Sequence, residues 1–329
     1  MSASEWNNRR VLVTGATGIV GSWLVRRLVD QGASVVVLVR DHDPQSELLR
    51  SGTIGRCGVV DGRLETPGDV ERAINEHEVD TVFHLGAQTI VGTALRNPVP
   101  TFEANIRGSY LLLDACRVHA GLVKRVLVAS SDKAYGDSKI LPYTEDMPLH
   151  GRHPYDVSKS CTDLLALSYA HTYGMPVAVA RCGNIYGGGD LNWSRIVPGT
   201  IRSALRGERP VLRSNGKLIR DYLHVDDVVD AYLGLAERVG DDGVRGEGFN
   251  FSPGQGLTVL EITQAVLRAM DREDLEPVIL DRASGEIKEQ ILDPRLARER
   301  LGWTALLDLP AGLAKTVAWY RDFFAREHA

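Results

Sequence analysis

The feature that most constrains this fold is a short apolar run that leads directly into three regularly spaced glycines. Residues 10–14 read Arg-Val-Leu-Val-Thr, Gly15, Gly18 and Gly21 follow, and apolar residues then recur at helical spacing. A buried strand, a glycine-rich turn and a helix in this order can bind a dinucleotide, because glycine lets the backbone approach the pyrophosphate and the helix amides face it. The alternative is a plain turn with a helix cap. The residues predicted to contact the dinucleotide here are Gly15, Thr17, Gly18 and Ile19.

Segments typical of strands and of helices alternate through the first half of the chain. The predicted strands after the first are residues 35–39, 57–60, 81–85, 124–130 and 175–182, and the longer predicted helices are 69–78, 101–120 and 155–173. This alternation predicts an α/β protein with a doubly wound parallel sheet of Rossmann type. Beyond Cys182 the pattern loosens, so we expect a dinucleotide-binding domain over 1–182 and a smaller α/β substrate domain over 183–329. The boundary is approximate, and a return of the chain to the sheet is left open.

Composition argues against several classes of function. The 329 residues carry a net charge of −5, which disfavours nucleic acid as a partner because phosphate binding needs a basic face. The cysteines Cys57, Cys116, Cys161 and Cys182 form no Cys-x-x-Cys or Cys/His cluster, which indicates reduced packing residues and no metal site. No charged-then-apolar leader opens the chain, and no apolar run approaches the roughly 20 residues that cross a bilayer. We therefore expect a cytoplasmic protein that binds no membrane.

The end of the second predicted strand bears on the identity of the dinucleotide. An acidic residue at this place binds the ribose diol of NAD, but here Val39 is followed by Arg40. A guanidinium suits a 2′-phosphate, so the sequence favours NADP over NAD. In the alternative, Arg40 is a solvated surface residue and Asp41 or Asp43 reaches the ribose.

Two clusters of reactive side chains flank the long loop 135–154. Ser131, Asp132 and Lys133 follow the predicted strand 124–130, whose carboxyl end should meet the ligand crevice. Tyr155 and Lys159 lie one helical turn apart on one face, where the ammonium is expected to lower the pKa of the phenol and make it a base for an alcohol. Each residue alone has a structural explanation, as a turn cap, a solvated pair or packing. Their joint occurrence after a dinucleotide turn favours an active site.

Together these motifs resemble the extended short-chain dehydrogenase/reductase enzymes that act on nucleotide sugars, the epimerase/dehydratase family. The resemblance covers nearly the whole chain. Its motifs are Thr14-Gly15-x-x-Gly18-x-x-Gly21, His84–Gln88, Asn105 with Gly108, Ser130–Gly136, Tyr155-x-x-x-Lys159, Arg181–Asn184, Arg220–Asp227 and Leu301–Trp303. The Ser-Asp-Lys run, residues 185–190 and 195–198, and Trp23 are most similar to the CDP-glucose 4,6-dehydratase branch. The chain departs from that branch at Arg40, and at Arg63, near the place of the family's adenine-binding Asp.

The resemblance implies the chemistry of a 4,6-dehydratase. Tyr155 would take the proton of the sugar 4-hydroxyl, Lys159 would support the phenolate and hold the nicotinamide ribose, and Ser131 would hydrogen-bond the 4-oxygen. Asp132 would protonate the departing 6-hydroxyl. Lys133 stands where relatives carry a glutamate, and is either the base at C5 or a partner that positions Asp132. The product would be a 4-keto-6-deoxy sugar, and the NAD or NADP would be tightly bound.

The resemblance also implies binding residues and an assembly. Further cofactor contacts would come from Arg40, Leu85, Ala87, Tyr155 and Lys159, and substrate contacts from Gln88, Asn184, Arg195 and Arg220, with Arg213 a weaker candidate. The predicted helices 101–120 and 155–173 would pair in a homodimer. The resemblance favours CDP as the nucleotide of the substrate, and dTDP, UDP and GDP stay open. Two other functions stay open: a 4-epimerase or related oxidoreductase, which has no leaving hydroxyl for Asp132 to protonate, and a non-catalytic cofactor-sensing protein.

Overall fold

The chain forms strands and helices that alternate around one large parallel sheet. The computed structural model describes residues 4–282 and 286–327. The strands are β1 (Arg10–Thr14), β2 (Ser34–Val39), β3 (Gly58–Asp61), β4 (Thr81–His84), β5 (Arg125–Ala129), β6 (Val177–Cys182), β7 (Asn184–Tyr186), β8 (Val211–Leu212), β9 (Ile219–His224), β10 (Gly248–Phe251), β11 (Gly256–Thr258), β12 (Val278–Ile279) and β13 (Glu289–Gln290). The helices are α1 (Ile19–Asp30), α2 (Glu47–Arg50), α3 (Asp69–Glu76), α4 (Val91–Arg96), α5 (Pro98–Phe102), α6 (Gly108–Val118), α7 (Pro154–Tyr173), α8 (Ile196–Leu205), α9 (Val225–Arg238), α10 (Val259–Ala269), α11 (Arg295–Leu301) and α12 (Leu309–Glu327).

The large sheet has seven strands in the order β10-β6-β5-β4-β1-β2-β3, and every neighbouring pair is parallel. Strand β2 reads Ser-Val-Val-Val-Leu-Val and is buried beyond its first residue, as is typical of a strand covered on both faces. The strand order reverses between β1 and β4, where a crevice opens at the carboxyl ends. The predicted doubly wound sheet is confirmed.

Helices cover both faces of this sheet. Because side chains alternate along a strand, Val11 and Val13 enter one core with α1 and α9, whereas Leu12 enters the other with α3, α6 and α7. Both cores are built mainly of branched aliphatic residues. The sheet is therefore sealed on both faces, which leaves its carboxyl edge as the place for polar side chains.

The expected smaller α/β region follows β6. Strand β9 pairs with β11 in the antiparallel sense and with β7 and β13 in the parallel sense. Helices α8, α10 and α12 enclose a third core that includes Ile201, Val266 and Tyr320. Strand β10 returns to the large sheet beside β6, and α9 packs against α1. Residues beyond 182 thus contribute to both parts, and the division into two domains near residue 183 stays a prediction.

The predicted helix over 101–120 contains a π-helical turn. A π-helical turn at Glu103–Arg107 separates α5 from α6, and such turns are frequent at functional sites. Asn105 lies in this turn and is buried. Its Nδ2 donates to the carbonyl of Gln88 at 3.0 Å and to Ser158 Oγ at 2.9 Å, and its Oδ1 accepts from the amide of Gln88 at 2.7 Å. The turn therefore ties the segment after β4 to α7.

The other predicted helices, 69–78 and 155–173, correspond closely to α3 and α7. Thr258 and Glu261 form a capping box at the start of α10. The terminal helix α12 spans residues 309–327. Among the residues that the structure describes, no helix combines the length and the apolar character that crossing a bilayer requires.

Candidate active site

A cavity of about 1400 Å³ lies at the carboxyl edge of the large sheet and extends towards the smaller α/β region. The predicted site residues that line it are Gly15, Thr17, Gly18, Ile19, Arg40, Leu85, Ala87, Ser131, Asp132, Lys133, Tyr155, Lys159, Asn184, Arg195, Arg213 and Arg220. Gln88 does not line it within the described chain. The Oε1 of Gln88 instead accepts the amide of Ile90 at 2.6 Å, which closes a local turn.

The glycine turn after β1 leaves no room for a side chain at Gly15 or at Gly21. Gly15 has a φ of +70°, and a Cβ there would lie 2.7 Å from the amide nitrogen of Gly86. A Cβ at Gly21 would lie 2.2 Å from the carbonyl oxygen of Gly15. Helix α1 begins directly after Gly18 and has no acidic residue in its first turn, so its free amides present a positive helix end to the cavity. This cradle fits the pyrophosphate of a dinucleotide.

A buried hydrogen-bond chain fixes the segment after β4 against this turn. Thr14 Oγ1 accepts the amide of Gly86 at 3.0 Å and lies 2.9 Å from His84 Nδ1, and His84 Nε2 lies 3.0 Å from Ser109 Oγ. Burial lowers the pKa of His84 to about 3, with a smaller contribution from the charge of Lys159. The imidazole is therefore neutral. Because Ser109 Oγ already donates to the carbonyl of Asn105, the tautomer that fits donates from Nε2 to Ser109 and accepts at Nδ1 from Thr14.

The edge of the cavity beyond β2 carries the residues that bear on the dinucleotide's ribose. The Nε of Arg40 donates to Asp41 Oδ2 at 2.6 Å, and both side chains are exposed. Asp43 Oδ1 accepts the amide of Gln45 at 3.0 Å. The Nη1 of Arg63 lies 3.7 Å from Glu65 Oε1, and Arg63 is outside the cavity lining within the described residues.

Tyr155 and Lys159 both lie on α7 and both line the cavity. The expectation that Lys159 lowers the pKa of the phenol is wrong. Burial raises the pKa of Tyr155 to about 12, and the cation that opposes this effect most is Arg195. The Nζ of Lys159 donates to the carbonyl of Ala129 at 2.6 Å, and burial lowers the pKa of Lys159 to about 8, against the charge of Asp163. Its ammonium is thus engaged at the end of β5.

Ser131 and Asp132 form one hydrogen-bonded unit at the end of β5. Ser131 Oγ accepts the amide of Lys133 at 3.2 Å and so caps the short turn at Asp132–Tyr135. It also donates to Asp132 Oδ1 at 2.8 Å. Asp132 is 3% exposed, and its Oδ2 has no hydrogen-bond partner among the described residues. Ser131 therefore both caps the turn and binds Asp132. The second carboxylate oxygen of Asp132, in the cavity wall, keeps no hydrogen bond among the described residues.

Lys133 is held from the smaller α/β region. Its Nζ donates to Gln290 Oε1 at 2.5 Å. Burial lowers the pKa of Lys133, and the charge of Asp132 opposes this effect. Asp156 at the start of α7 is also buried, which raises the pKa of its carboxyl, whereas the charge of Lys133 lowers it. The amine thus lies among groups from three segments of the chain.

The arginines predicted to contact the substrate differ in how many hydrogen bonds already hold their side chains. Arg195 Nη1 donates to Asp190 Oδ2 at 3.0 Å, and Arg213 is exposed. Arg220 is 6% exposed. Its guanidinium donates to the carbonyls of Ile219, Ile287 and Lys288 at 2.7, 2.7 and 3.2 Å. Arg220 therefore holds the segment that leads into β13.

Sequence reasoning missed three buried polar residues around this site: Asp156, Asp221 and Gln290. Burial raises the pKa of Asp221 to about 7, and the charge of Asp132 adds to the effect. Asp221 stands inside the motif 220–227, where only Arg220 was singled out. Gln290 lies on a two-residue strand, which is too short to produce a recognisable alternation of apolar residues in the sequence. Only the spatial proximity of distant segments identifies these residues.

Comparison with known proteins gives matches over nearly the full length. The sequence matches the NAD dependent epimerase/dehydratase family over residues 11–250. The dTDP-glucose 4,6-dehydratase of Streptomyces antibioticus is 33% identical over 95% of this chain and 92% of its own. The CDP-glucose 4,6-dehydratase of Salmonella typhimurium is 28% identical over 98% of this chain and 93% of its own.

Solved structures share the whole fold. The UDP-glucose 4-epimerase of Thermotoga maritima has a TM-score of 0.87 and 31% identity, and the match covers 96% of this chain and 99% of that one. A dTDP-glucose 4,6-dehydratase from Streptomyces venezuelae, solved with NAD bound, has a TM-score of 0.84 and 29% identity over 95% and 97% of the two chains. The predicted relationship to nucleotide-sugar epimerases and dehydratases is confirmed. With its glycine cradle and its Tyr155–Lys159 pair in one cavity, the chain belongs to the NAD dependent epimerase/dehydratase family.

Proposed function

We propose that this protein is a nucleotide-hexose 4,6-dehydratase, a lyase that forms a nucleotide-linked 4-keto-6-deoxyhexose. The observation that carries this proposal is the Ser131-Asp132-Lys133 run in the wall of the same cavity as Tyr155. Oxidation of an alcohol requires only a base and a cofactor, whereas loss of water also requires an acid for the leaving oxygen and a base for the adjacent carbon. Asp132 and Lys133 provide these two groups. The dehydratases among the relatives support the proposal.

A nicotinamide dinucleotide fits the cradle at the start of α1. The residues that would hold it are Gly15, Thr17, Gly18, Ile19, Leu85, Ala87, Tyr155 and Lys159. When bound, it supplies the redox chemistry by accepting hydride from sugar C4 and returning it to C6. The chain itself places the proton-transfer groups around the sugar.

Each polar group then has one task on the sugar. Tyr155 takes the proton of the 4-hydroxyl, and Ser131 hydrogen-bonds the 4-oxygen. Since burial raises the pKa of the phenol, a cation must stabilise the phenolate, and Arg195, whose charge opposes this rise, is the candidate. The 4-ketone acidifies C5. Lys133 removes the C5 proton while Asp132 protonates the 6-oxygen, so that the C5–H and C6–O bonds break, a C5–C6 double bond forms and water leaves.

The diagnostic experiment is incubation with a panel of CDP-, dTDP-, UDP- and GDP-glucose, followed by mass spectrometry of the nucleotide sugars. We expect a product lighter than its substrate by one water. The sequence between Gly187 and Pro198 favours a CDP-linked sugar, and the panel tests that preference directly. A product of unchanged mass and inverted configuration at C4 would show a 4-epimerase instead. Bound cofactor with no turnover on any sugar would indicate a cofactor-sensing protein.

A 4-epimerase is the second candidate because a UDP-glucose 4-epimerase shares the fold at a TM-score of 0.87. Its chemistry needs the base and the cofactor but no acid for a leaving hydroxyl. Asp132 is buried with a free carboxylate oxygen at the cavity wall, a feature that an epimerase does not use. This residue favours the dehydratase.

Arg40 supports a preference for NADP. Its guanidinium is exposed at the cavity edge and pairs with Asp41 in the described structure. We expect Arg40→Ala to weaken NADP binding roughly tenfold or more, since a charge-assisted hydrogen bond to a phosphate contributes about 1.5–3 kcal/mol, and to change NAD binding little. Calorimetric titration of the dinucleotide-free protein measures both. Arg56→Ala, an exposed arginine outside the cavity lining, is the control. Equal affinities of the variant and the wild type for NADP would contradict the preference.

We also propose that the protein is a homodimer in the cytoplasm. Helices α4, α5, α6 and α7 expose apolar side chains on neighbouring surfaces, including Leu95, Val99, Val118 and Leu164, which are 55–62% exposed. Pairing of these helices between two copies would bury them. Sedimentation is expected to give twice the 36.0 kDa chain mass, and Leu164→Glu is expected to shift the protein to monomer. A wild-type protein that sediments only as monomer would contradict the dimer.

A further inference from the structure

We propose that Gln290 is a positioning residue for the dehydration step: its side-chain oxygen holds the amine of Lys133 at the sugar C5. The inference rests on the proposed function and adds a residue that lies in the smaller α/β region. Gln290 and Lys133 are 157 residues apart in the chain, and their side chains join at 2.5 Å.

Gln290 is firmly fixed. It is 0% exposed, and as the second residue of β13 it stands in register with Arg220 of β9. The guanidinium of Arg220 donates to the carbonyls of Ile287 and Lys288 just before β13. Lys133, on the short turn after β5, therefore meets an acceptor whose backbone is held by a strand pairing and by a buried arginine.

The amide of Gln290 suits a lysine that acts as a base. A lysine amine removes a proton only in its neutral form, and a carboxylate acceptor would stabilise the ammonium instead. A carboxamide oxygen accepts an N–H from either form and carries no charge. Gln290 therefore orients the nitrogen without retaining its proton.

Several charged groups around Lys133 affect its protonation, so one more charge nearby would change its pKa. Burial lowers the pKa of Lys133. Asp132 on its own turn, Asp156 on α7 and Glu286 before β13 raise it, and Arg220 on β9 lowers it. A carboxylate in place of the Gln290 amide would add an anion at hydrogen-bond distance. Because that change favours the ammonium, it would move the rise of the dehydration rate with pH to a higher pH.

The Nε2 of Gln290 supplies a second observation. It is buried and has no hydrogen-bond partner among the described residues. An unpaired buried amide costs free energy, and the hydrogen bond from Lys133 to the oxygen of the same side chain offsets part of that cost. Its oxygen is directed to Lys133, which agrees with a role in orienting that side chain.

The experiment compares the pH dependence of two half-reactions in full-length wild type and Gln290→Glu. Formation of reduced dinucleotide reports oxidation at C4, and mass spectrometry of the sugar, with deuterium uptake at C5 from heavy water, reports dehydration. In Gln290→Glu we expect the acidic limb of dehydration to shift upward by about one pH unit or more, which is a roughly tenfold loss of rate on that limb. Oxidation at C4 is expected to stay within about twofold. Glu289→Gln, the exposed neighbour on β13, is the matched control and keeps the wild-type profile.

Gln290→Met removes the acceptor without adding a charge and tests the same contact if the buried carboxylate prevents folding. We expect its dehydration rate to fall roughly tenfold at all pH values, with oxidation at C4 retained. An unshifted limb in Gln290→Glu, or parallel loss of both half-reactions in folded Gln290→Met, overturns the positioning role. If the wild-type protein never releases water, the proposed function itself is wrong. If the wild type dehydrates its substrate but the Gln290 variants do so with an unchanged rate and pH profile, only the positioning role is wrong.

Discussion

Replacing Lys133 by alanine is expected to abolish the loss of water and to leave oxidation at C4 in place. Lys133 is the cavity-wall lysine whose amine is held by Gln290. Removal of a positioned base slows a proton transfer by about 10²- to 10⁴-fold, whereas Tyr155 and Lys159, which act on the 4-hydroxyl, remain. The variant should therefore convert a nucleotide-glucose to the 4-ketone and accumulate reduced dinucleotide. Absorbance of the reduced nicotinamide and mass spectrometry of the sugar measure the two outcomes together.

Lys139→Ala is the matched control, because Lys139 lies in the same loop region but is exposed and outside the cavity lining within the described chain. It is expected to form the dehydrated product at the wild-type rate. Unchanged product formation in Lys133→Ala would contradict both roles considered for the lysine, as base at C5 and as partner of Asp132.

The fold follows from local patterns in the sequence. The valine-rich runs at β1 and β2 predict strands covered on both faces, and the strict spacing of Gly15, Gly18 and Gly21 predicts the turn that α1 requires. Both are features of neighbouring residues, so a single sequence is enough to see them. The π-helical turn at Asn105 is different, because the side chain of Asn105 makes its contacts with residues that are distant in the chain.

The residues of the candidate site likewise include some that local patterns predict and others that depend on contacts between distant parts of the chain. Tyr155 and Lys159 are recognisable because helical spacing puts them on one face, and Ser131 to Lys133 because they follow a predicted strand. The pKa of Tyr155 was mispredicted, since burial and the position of Arg195 decide it and neither is a local property. The partner of Lys133 was not predictable either, because Gln290 reaches it only through the pairing of β13 with β9.

The second large effect is expected from Asp163, which forms a buried ion pair beneath the site. Asp163 is 0% exposed and Arg181 3%. The Nε and Nη2 of Arg181 donate to the two carboxylate oxygens at 2.8 and 2.9 Å, and its Nη1 donates to the hydroxyl of Tyr135 at 2.8 Å. Tyr135 in turn donates to Asn250 Oδ1 at 2.8 Å. One guanidinium thus joins α7, β6, β10 and the turn that carries Asp132 and Lys133.

Asp163→Asn keeps the volume but leaves the Arg181 charge without an opposite charge, so we expect it to lower the free energy of unfolding by about 3–5 kcal/mol. Urea titration followed by circular dichroism measures this change. Asp114→Asn breaks the exposed pair with Arg117 and is expected to leave stability nearly unchanged, since water screens that pair.

The double variant Asp163→Leu with Arg181→Met separates two explanations of that loss. If the cost of Asp163→Asn comes from the stranded charge, removal of both charges should restore much of the stability, because apolar side chains of similar size avoid the desolvation of an unpaired ion. If it comes from the lost geometry around Tyr135, the double variant should be no more stable than the single one. We expect the first result for stability, together with a lower dehydration rate, because the turn that presents Asp132 and Lys133 then loses its hydrogen bond from Arg181 to Tyr135.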